Sequence, residues 1–206
     1  MKKFLINKCM DYIKKNTDYN EVKLAEIKYG LEGIYLTITK MIIIFIIAFM
    51  LGIFKEVIIY LFIYNILRTP SFGLHATKSW ICLISSILLF IGIPLLSIYI
   101  EIPLIIKIII CILGIIFMFK NSPADTYKRP IVSKKRRNKF KFISTILVII
   151  YSFISIIIKN NFISNCIIFS IIMQNCMISP IVYKIFKLPY NNYIEYIKKH
   201  PDLSFD

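Results

Sequence analysis

The stretch Leu36–Phe54, LTITKMIIIFIIAFMLGIF, carries a single charge, Lys40, in nineteen residues. As an α-helix rising 1.5 Å per residue it reaches about 28 Å, close to the ~30 Å hydrocarbon core of a bilayer. Isoleucine dominates it, and in water that β-branched side chain would favour strands. In lipid every backbone N–H and C=O must be satisfied within the structure, which a block of this length achieves only as a helix. A β-barrel would need alternating polarity along each strand, and none is visible.

Similar blocks recur along the 206 residues, which are 58% hydrophobic. Mean hydropathy is +0.72. The fold class expected is all-α, a polytopic membrane helical bundle of about six membrane segments preceded by N-terminal amphipathic surface helices. After Leu36–Phe54 comes Val57–Leu67, an apolar run of 11 residues, short for a crossing and readable as a short tilted helix extended by the next segment or as a re-entrant element. Further spans are expected at Trp80–Ile100, Pro103–Phe119, Phe142–Ile158 and Phe162–Ile185, the last kinked at Pro180. Residues 1–33 form the interfacial region. There Leu24, Ile27, Leu31 and Ile34 make a helical stripe, and Phe4, Leu5, Ile6, Cys9, Met10 and Ile13 a shorter one. Residues 34–185 make the bundle, with loops 68–79 and 120–141 on the cytoplasmic side. The tail 186–206 is mixed in character, surface-bound or partly disordered. No cleavable signal sequence is expected, because charges interrupt the N-terminus every few residues.

The net charge of +15 would suit nucleic acid, but the basic residues sit in short loops and match no recognition module. Their placement follows the positive-inside rule instead. With the N-terminus inside, the outer loops hold only Lys55, Lys107 and Lys159 among the basic residues. The reading is therefore a multi-pass protein of the cell membrane whose partners include lipid but not nucleic acid. Cys9, Cys82, Cys111, Cys166 and Cys176 show no paired C-x-x-C spacing, and His75 and His200 are the only histidines. Neither a metal site nor a cofactor is expected.

Two inner-face segments could carry chemistry. In Arg68-Thr69-Pro70-Ser71-Phe72-Gly73-Leu74-His75, the histidine precedes Cys82 by seven residues. A thiol with an imidazole to take its proton is a minimal nucleophile, and the same imidazole can later protonate a leaving amine. On one straight helix the two would stand about 10.5 Å apart along the axis, too far for proton transfer. The chain must bend between them, and Pro70 and Gly73 provide for a non-helical entry. Cys82 would then lie near the start of its span, where unpaired N–H groups favour a thiolate and an oxyanion. The second segment, Ser122-Pro123-Ala124-Asp125-Thr126-Tyr127-Lys128-Arg129-Pro130-Ile131, leads into Lys134-Lys135-Arg136-Arg137. Asp125 is a candidate to orient His75. Lys128, Arg129, Lys134, Lys135, Arg136 and Arg137 are candidates to hold an acidic peptide.

Together these residues carry a resemblance. Arg68, Gly73, His75-Ala76 and Cys82, followed by Pro123-Ala124-Asp125-Thr126 and Lys128-Arg129-Pro130, resemble the accessory gene regulator B (AgrB) family of membrane cysteine peptidases. The likeness covers most of the chain. One departure is Phe72, where many relatives carry a second glycine. The resemblance implies that Cys82 is the nucleophile and His75 its base, with Arg68, Gly73 and Asp125 as supporting candidates. It further implies a small AgrD-like propeptide as substrate, cut near its C-terminal side and cyclised through a thioester to an autoinducing, quorum-sensing peptide, and a homodimeric enzyme. The rival reading is a non-enzymatic membrane component that exports peptide, against which the spans are read as lacking buried ionisable residues.

Overall fold

The computed structural model describes residues 2–74, 79–126 and 130–200. Among these the chain is all α-helix, a multi-spanning membrane bundle with five helices long and apolar enough to cross a bilayer: Glu21–Met50, Trp80–Tyr99, Leu104–Asn121, Lys134–Ile157 and Asn161–Ile178. It divides into two compact units, Met1–Gly52 and Ile53–Asp206.

The first unit holds α1 (Lys2–Asn16) and α2 (Glu21–Met50). Asn20 starts α2 by accepting a hydrogen bond from the Lys23 amide at 2.9 Å, satisfying one of the orphan N–H groups of the first turn. The helix then runs 30 residues without a break, about 45 Å, so the amphipathic stripe from Leu24 and the apolar stretch from Leu36 share one rod. In α1, Ile6 and Met10, one turn apart, are the buried pair.

The second unit is built around α8 (Asn161–Ile178), which packs against α3 (Phe54–Ser71), α5 (Ile93–Tyr99), α6 (Leu104–Asn121) and α7 (Lys134–Ile157). Ile167, Ile168, Ile171 and Ile178 of α8 meet Leu67, Cys111, Met118, Val148 and Tyr151 in the core. Gly114 lets α6 approach closely, since a Cβ there would stand 2.5 Å from Ile171 Cγ2. Small residues at such crossings are how membrane helices gain packing without a hydrophobic driving force. The helix Trp80–Tyr99 comprises α4 (Ser79–Ile87), a π turn at Leu88–Gly92 and α5. Pro94 offers no N–H to the carbonyl one turn back and crowds that turn, so the backbone widens ahead of it.

One open reading narrows and two sequence expectations change. The run Val57–Leu67 is the middle of α3, an 18-residue helix as long as α6 and α8. Its charges Lys55, Glu56 and Arg68 sit at its two ends. Its line Glu56, Tyr60, Tyr64, Arg68 repeats every four residues, with Tyr60 and Tyr64 buried and stacked at 6.0 Å between centroids. This polar seam faces into the bundle, while Phe62 and Ile66 stay exposed on the opposite side of the helix. Second, the last apolar block does not kink at Pro180. It ends at Ile178, Ser179 is extended, and α9 (Pro180–Ile185) begins afresh, because the residue before a proline is driven out of the helical region. Third, Lys107 is no outer-loop residue. It lies in the first turn of α6, only 8% exposed, and its ammonium donates to Ser164 Oγ at 2.7 Å. Ser164 passes the bond on to the Ser155 carbonyl at 2.6 Å. The spans do therefore contain a buried ionisable group, its charge tempered by hydroxyl contacts.

Candidate active site

Helix α3 ends within the segment Arg68–His75. Pro70 occupies its last turn, and Phe72 (φ 55°) and Gly73 (φ 111°) both adopt positive φ, which swings the chain off the helix axis. Glycine accepts such a conformation freely, whereas phenylalanine does so at a cost of about 1–3 kcal/mol. Phe72 recovers part of that cost in an edge contact with Phe140, 5.0 Å between centroids.

Four sets of hydrogen bonds hold residues 71–74. Arg68 donates from Nη2 to the carbonyls of Gly73 (3.2 Å) and Leu74 (2.7 Å). The Gly73 amide donates to the Ala124 carbonyl at 2.8 Å, and the Ala124 amide to the Ser71 carbonyl at 3.1 Å, an isolated parallel bridge. The Leu74 amide donates to the Met177 carbonyl at 2.9 Å. Gln174, fully buried in α8, donates from Nε2 to the Phe72 carbonyl at 2.9 Å. The backbone entering His75 is thus fixed by α3, the 122–126 turn and the end of α8.

His75 lies outside the described residues, as do Ala76, Lys128 and Arg129. Cys82 is described: a half-buried thiol, fourth residue of α4 as described, whose carbonyl accepts from Ser85 Oγ at 3.1 Å. Cys111 and Cys166 are buried in the bundle.

Asp125 is 4% exposed. Its Oδ1 accepts from the amide and side chain of Asn192 at 3.0 and 3.4 Å, and its Oδ2 from the Tyr193 amide at 2.8 Å. These are the first residues of α10 (Asn192–Lys199), so the carboxylate caps that helix. Its backbone carbonyl accepts from Tyr183 Oη at 2.9 Å. Burial pushes the Tyr183 phenol well above the usual tyrosine range. The Arg68 guanidinium opposes that shift, and Asp125 adds to it, so the three side chains share one electrostatic neighbourhood.

The basic run 134–137 is helical, not loop. Ser133 caps α7 by accepting from the Arg136 amide at 3.3 Å. Lys134, Lys135 and Arg136 are exposed. Arg137 is engaged, donating to the Ile131 and Val132 carbonyls at 3.4 Å and stacking over the Tyr193 ring at 3.6 Å. Cations at a helix N-terminus oppose its dipole, so the helix itself does not account for this cluster.

The model of the family described as Accessory gene regulator B matches residues 6–178. The chain belongs to the accessory gene regulator B family. It is 32% identical over 184 residues to a "Putative AgrB-like protein" of Clostridium acetobutylicum, covering 89% of this chain and 88% of the relative. A protein of the same name from Listeria monocytogenes is 32% identical over 179 residues, 86% and 87% of the two chains. The Accessory gene regulator protein B of Staphylococcus aureus is 30% identical over 152 residues, 72% and 81%. No solved structure matches.

The match to the accessory gene regulator B family takes in both the Arg68–Cys82 and Ser122–Arg137 segments and ends at Ile178, before Tyr183, Asn192 and Tyr193. Those three, with Gln174, are the residues that sequence reasoning missed. Gln174 left a signal, a long amide inside an apolar span, where burying it demands a partner. The tail left none. Gln174→Leu is expected to strand the Phe72 carbonyl and lower stability by about 1–2 kcal/mol, read as a drop in thermal midpoint. An unchanged midpoint would show that this bond contributes nothing.

Proposed function

We propose that this chain is a membrane cysteine endopeptidase that cuts a small AgrD-like propeptide near its C-terminal side and cyclises the remainder into a quorum-sensing signal. The observation that carries the reading is the fixed backbone of residues 71–74 leading into His75, with Cys82 in the first described turn of the next helix. Such fixing serves a general base that must return to one place.

In this reading His75 takes the Cys82 proton and the thiolate attacks the scissile carbonyl. The C–N bond then breaks as His75 protonates the departing amine, and the C-terminal segment leaves. A propeptide Cys or Ser next attacks the acyl carbon, His75 accepting its proton, and the closing thiolactone or lactone expels Cys82 as thiolate. A thioester and a thiolactone are close in free energy, so the acyl group stays activated, provided water is kept out. Arg68 and Gly73 hold the turn. Asp125 has acceptor sites left for His75 beyond those used by α10. Lys128, Arg129, Lys134, Lys135, Arg136 and Arg137 attract an acidic leaving segment, the exposed first turn of α7 supporting this best. With α3 counted as a crossing, charge asymmetry favours a cytoplasmic N-terminus and site. The enzyme works as a homodimer in lipid. An export role is less well supported, because Cys111, Met118, Val148, Ile168 and Ile171 fill the centre of the bundle.

The test is to mix purified protein in lipid with its cognate propeptide, quench in acid and map adducts by mass spectrometry. A hydroxylamine-labile acyl group on Cys82 is expected. Cleavage accompanied by an adduct on another residue, or by none, would overturn the reading.

A further inference from the structure

We infer that the C-terminal helix α10 is part of the catalytic apparatus, with Asp125 as the positioning residue that ties it to the histidine turn. The inference rests on the peptidase reading. It starts from a buried carboxylate in a strongly basic chain that forms none of the ion pairs found among the described residues. Each of its oxygens accepts a backbone amide from the first turn of α10. Taking a carboxylate out of water is costly, and two charge-assisted bonds from backbone amides offset that cost.

From α10 the connection runs through the backbone to the site. Asp125 follows Ala124, and Ala124 exchanges hydrogen bonds with Ser71 and Gly73, two residues before His75. A second contact holds α10 in place independently: the Tyr193 ring lies 3.6 Å from the Arg137 guanidinium. A third is the Tyr190 hydroxyl, which reaches the Asn121 carbonyl at 3.4 Å. Residues 189–193 therefore clasp the 121–126 turn and the first turn of α7 together. If the clasp opens, the 122–126 turn loses its anchor, the Gly73–Ala124 bridge loosens, and His75 no longer returns to Cys82. The expected defect is a loss of thiol activation, leaving the transmembrane bundle intact.

Iodoacetamide measures that activation without any peptide. Its reaction with Cys82, followed residue by residue by mass spectrometry in the full-length protein in lipid, reads thiolate supply across a pH series. His75→Ala sets the unassisted rate. Asp125→Ala and Tyr193→Pro break the same bond from opposite sides, the proline removing the amide at a helix position where it is tolerated. Each is expected to slow alkylation at pH 7 by about tenfold, with the deficit vanishing in alkaline buffer where any thiol ionises. The double variant should be no slower than either single one. Tyr193→Ala, which keeps the amide bond to Asp125 and gives up only the ring contact with Arg137, should fall by less than the proline variant. Should Asp125→Ala not accumulate in the membrane, Asp125→Asn, which retains one acceptor oxygen, replaces it and is expected to lie between it and wild type. Wild-type rates in these variants, with His75→Ala slow, would overturn the inference and leave the peptidase reading standing. A His75→Ala profile equal to wild type would remove the peptidase reading itself.

Discussion

Cys82→Ala is expected to bring propeptide cleavage down to background, a loss of about 10⁴-fold or more. A thioester needs a thiol, so on the peptidase reading the loss should fall on the chemical step and not on propeptide binding. His75→Ala is expected to fail at the same step near neutral pH but to regain part of its rate in alkaline buffer. Cys111→Ala and Cys166→Ala serve as controls. Both thiols are buried within the bundle, and their loss is expected to cost packing while leaving cleavage in place. Turnover and KM measured on the purified proteins separate these cases. Wild-type turnover by Cys82→Ala would end the enzymatic reading.

Gly73→Ala is the second large effect, and it comes from sterics. A Cβ at this position would stand 2.6 Å from Arg68 Nη1 and 2.7 Å from the Met177 carbonyl oxygen. The arginine could swing aside only by giving up its bonds to the Gly73 and Leu74 carbonyls. The Met177 oxygen could retreat only by releasing the Leu74 amide. Alanine must also adopt φ 111°, which L side chains rarely do. Strain and overpacking together are expected to cost about 2–4 kcal/mol of stability. Displacing the histidine turn by about 1 Å is expected to slow acylation by ~10²-fold. Thermal unfolding and the alkylation rate of Cys82 measure the two effects separately. Normal values in both would mean that the turn is not held as described.

The same two residues show how far the sequence can be read. Gly73 and Cys82 stand out in the primary structure because their chemistry is local: one lacks a side chain at a bend, the other carries a thiol seven residues after a histidine. The partners that hold them are distant in sequence. Ala124 is 51 residues from Gly73, and Gln174 is 102 from Phe72. Nothing in residues 68–82 indicates that an alanine carbonyl and a glutamine will meet them. Phe72 illustrates both sides. Its bulk at a bend next to Gly73 is visible in the sequence, yet the reason a glycine would suit the position, φ 55°, is a property of the folded turn. Lys107 is the opposite case. Its charge near the end of an apolar block read as a surface lysine, and only the packing of α6 against α8 brings Ser164 within reach of its ammonium.

By itself, the sequence determined that this chain lives in a membrane as helices. Hydrophobic transfer and backbone satisfaction in lipid act segment by segment, so runs of isoleucine are decisive without their neighbours. It also marked the thiol and imidazole, because reactivity belongs to residue type. The tertiary structure decided what Asp125 holds, which face of α3 turns inward, and that a tail with no motif of its own packs against the 121–126 turn. Those outcomes depend on hydrogen bonds about 3 Å long between residues far apart in the chain, and no local pattern encodes which donor will arrive.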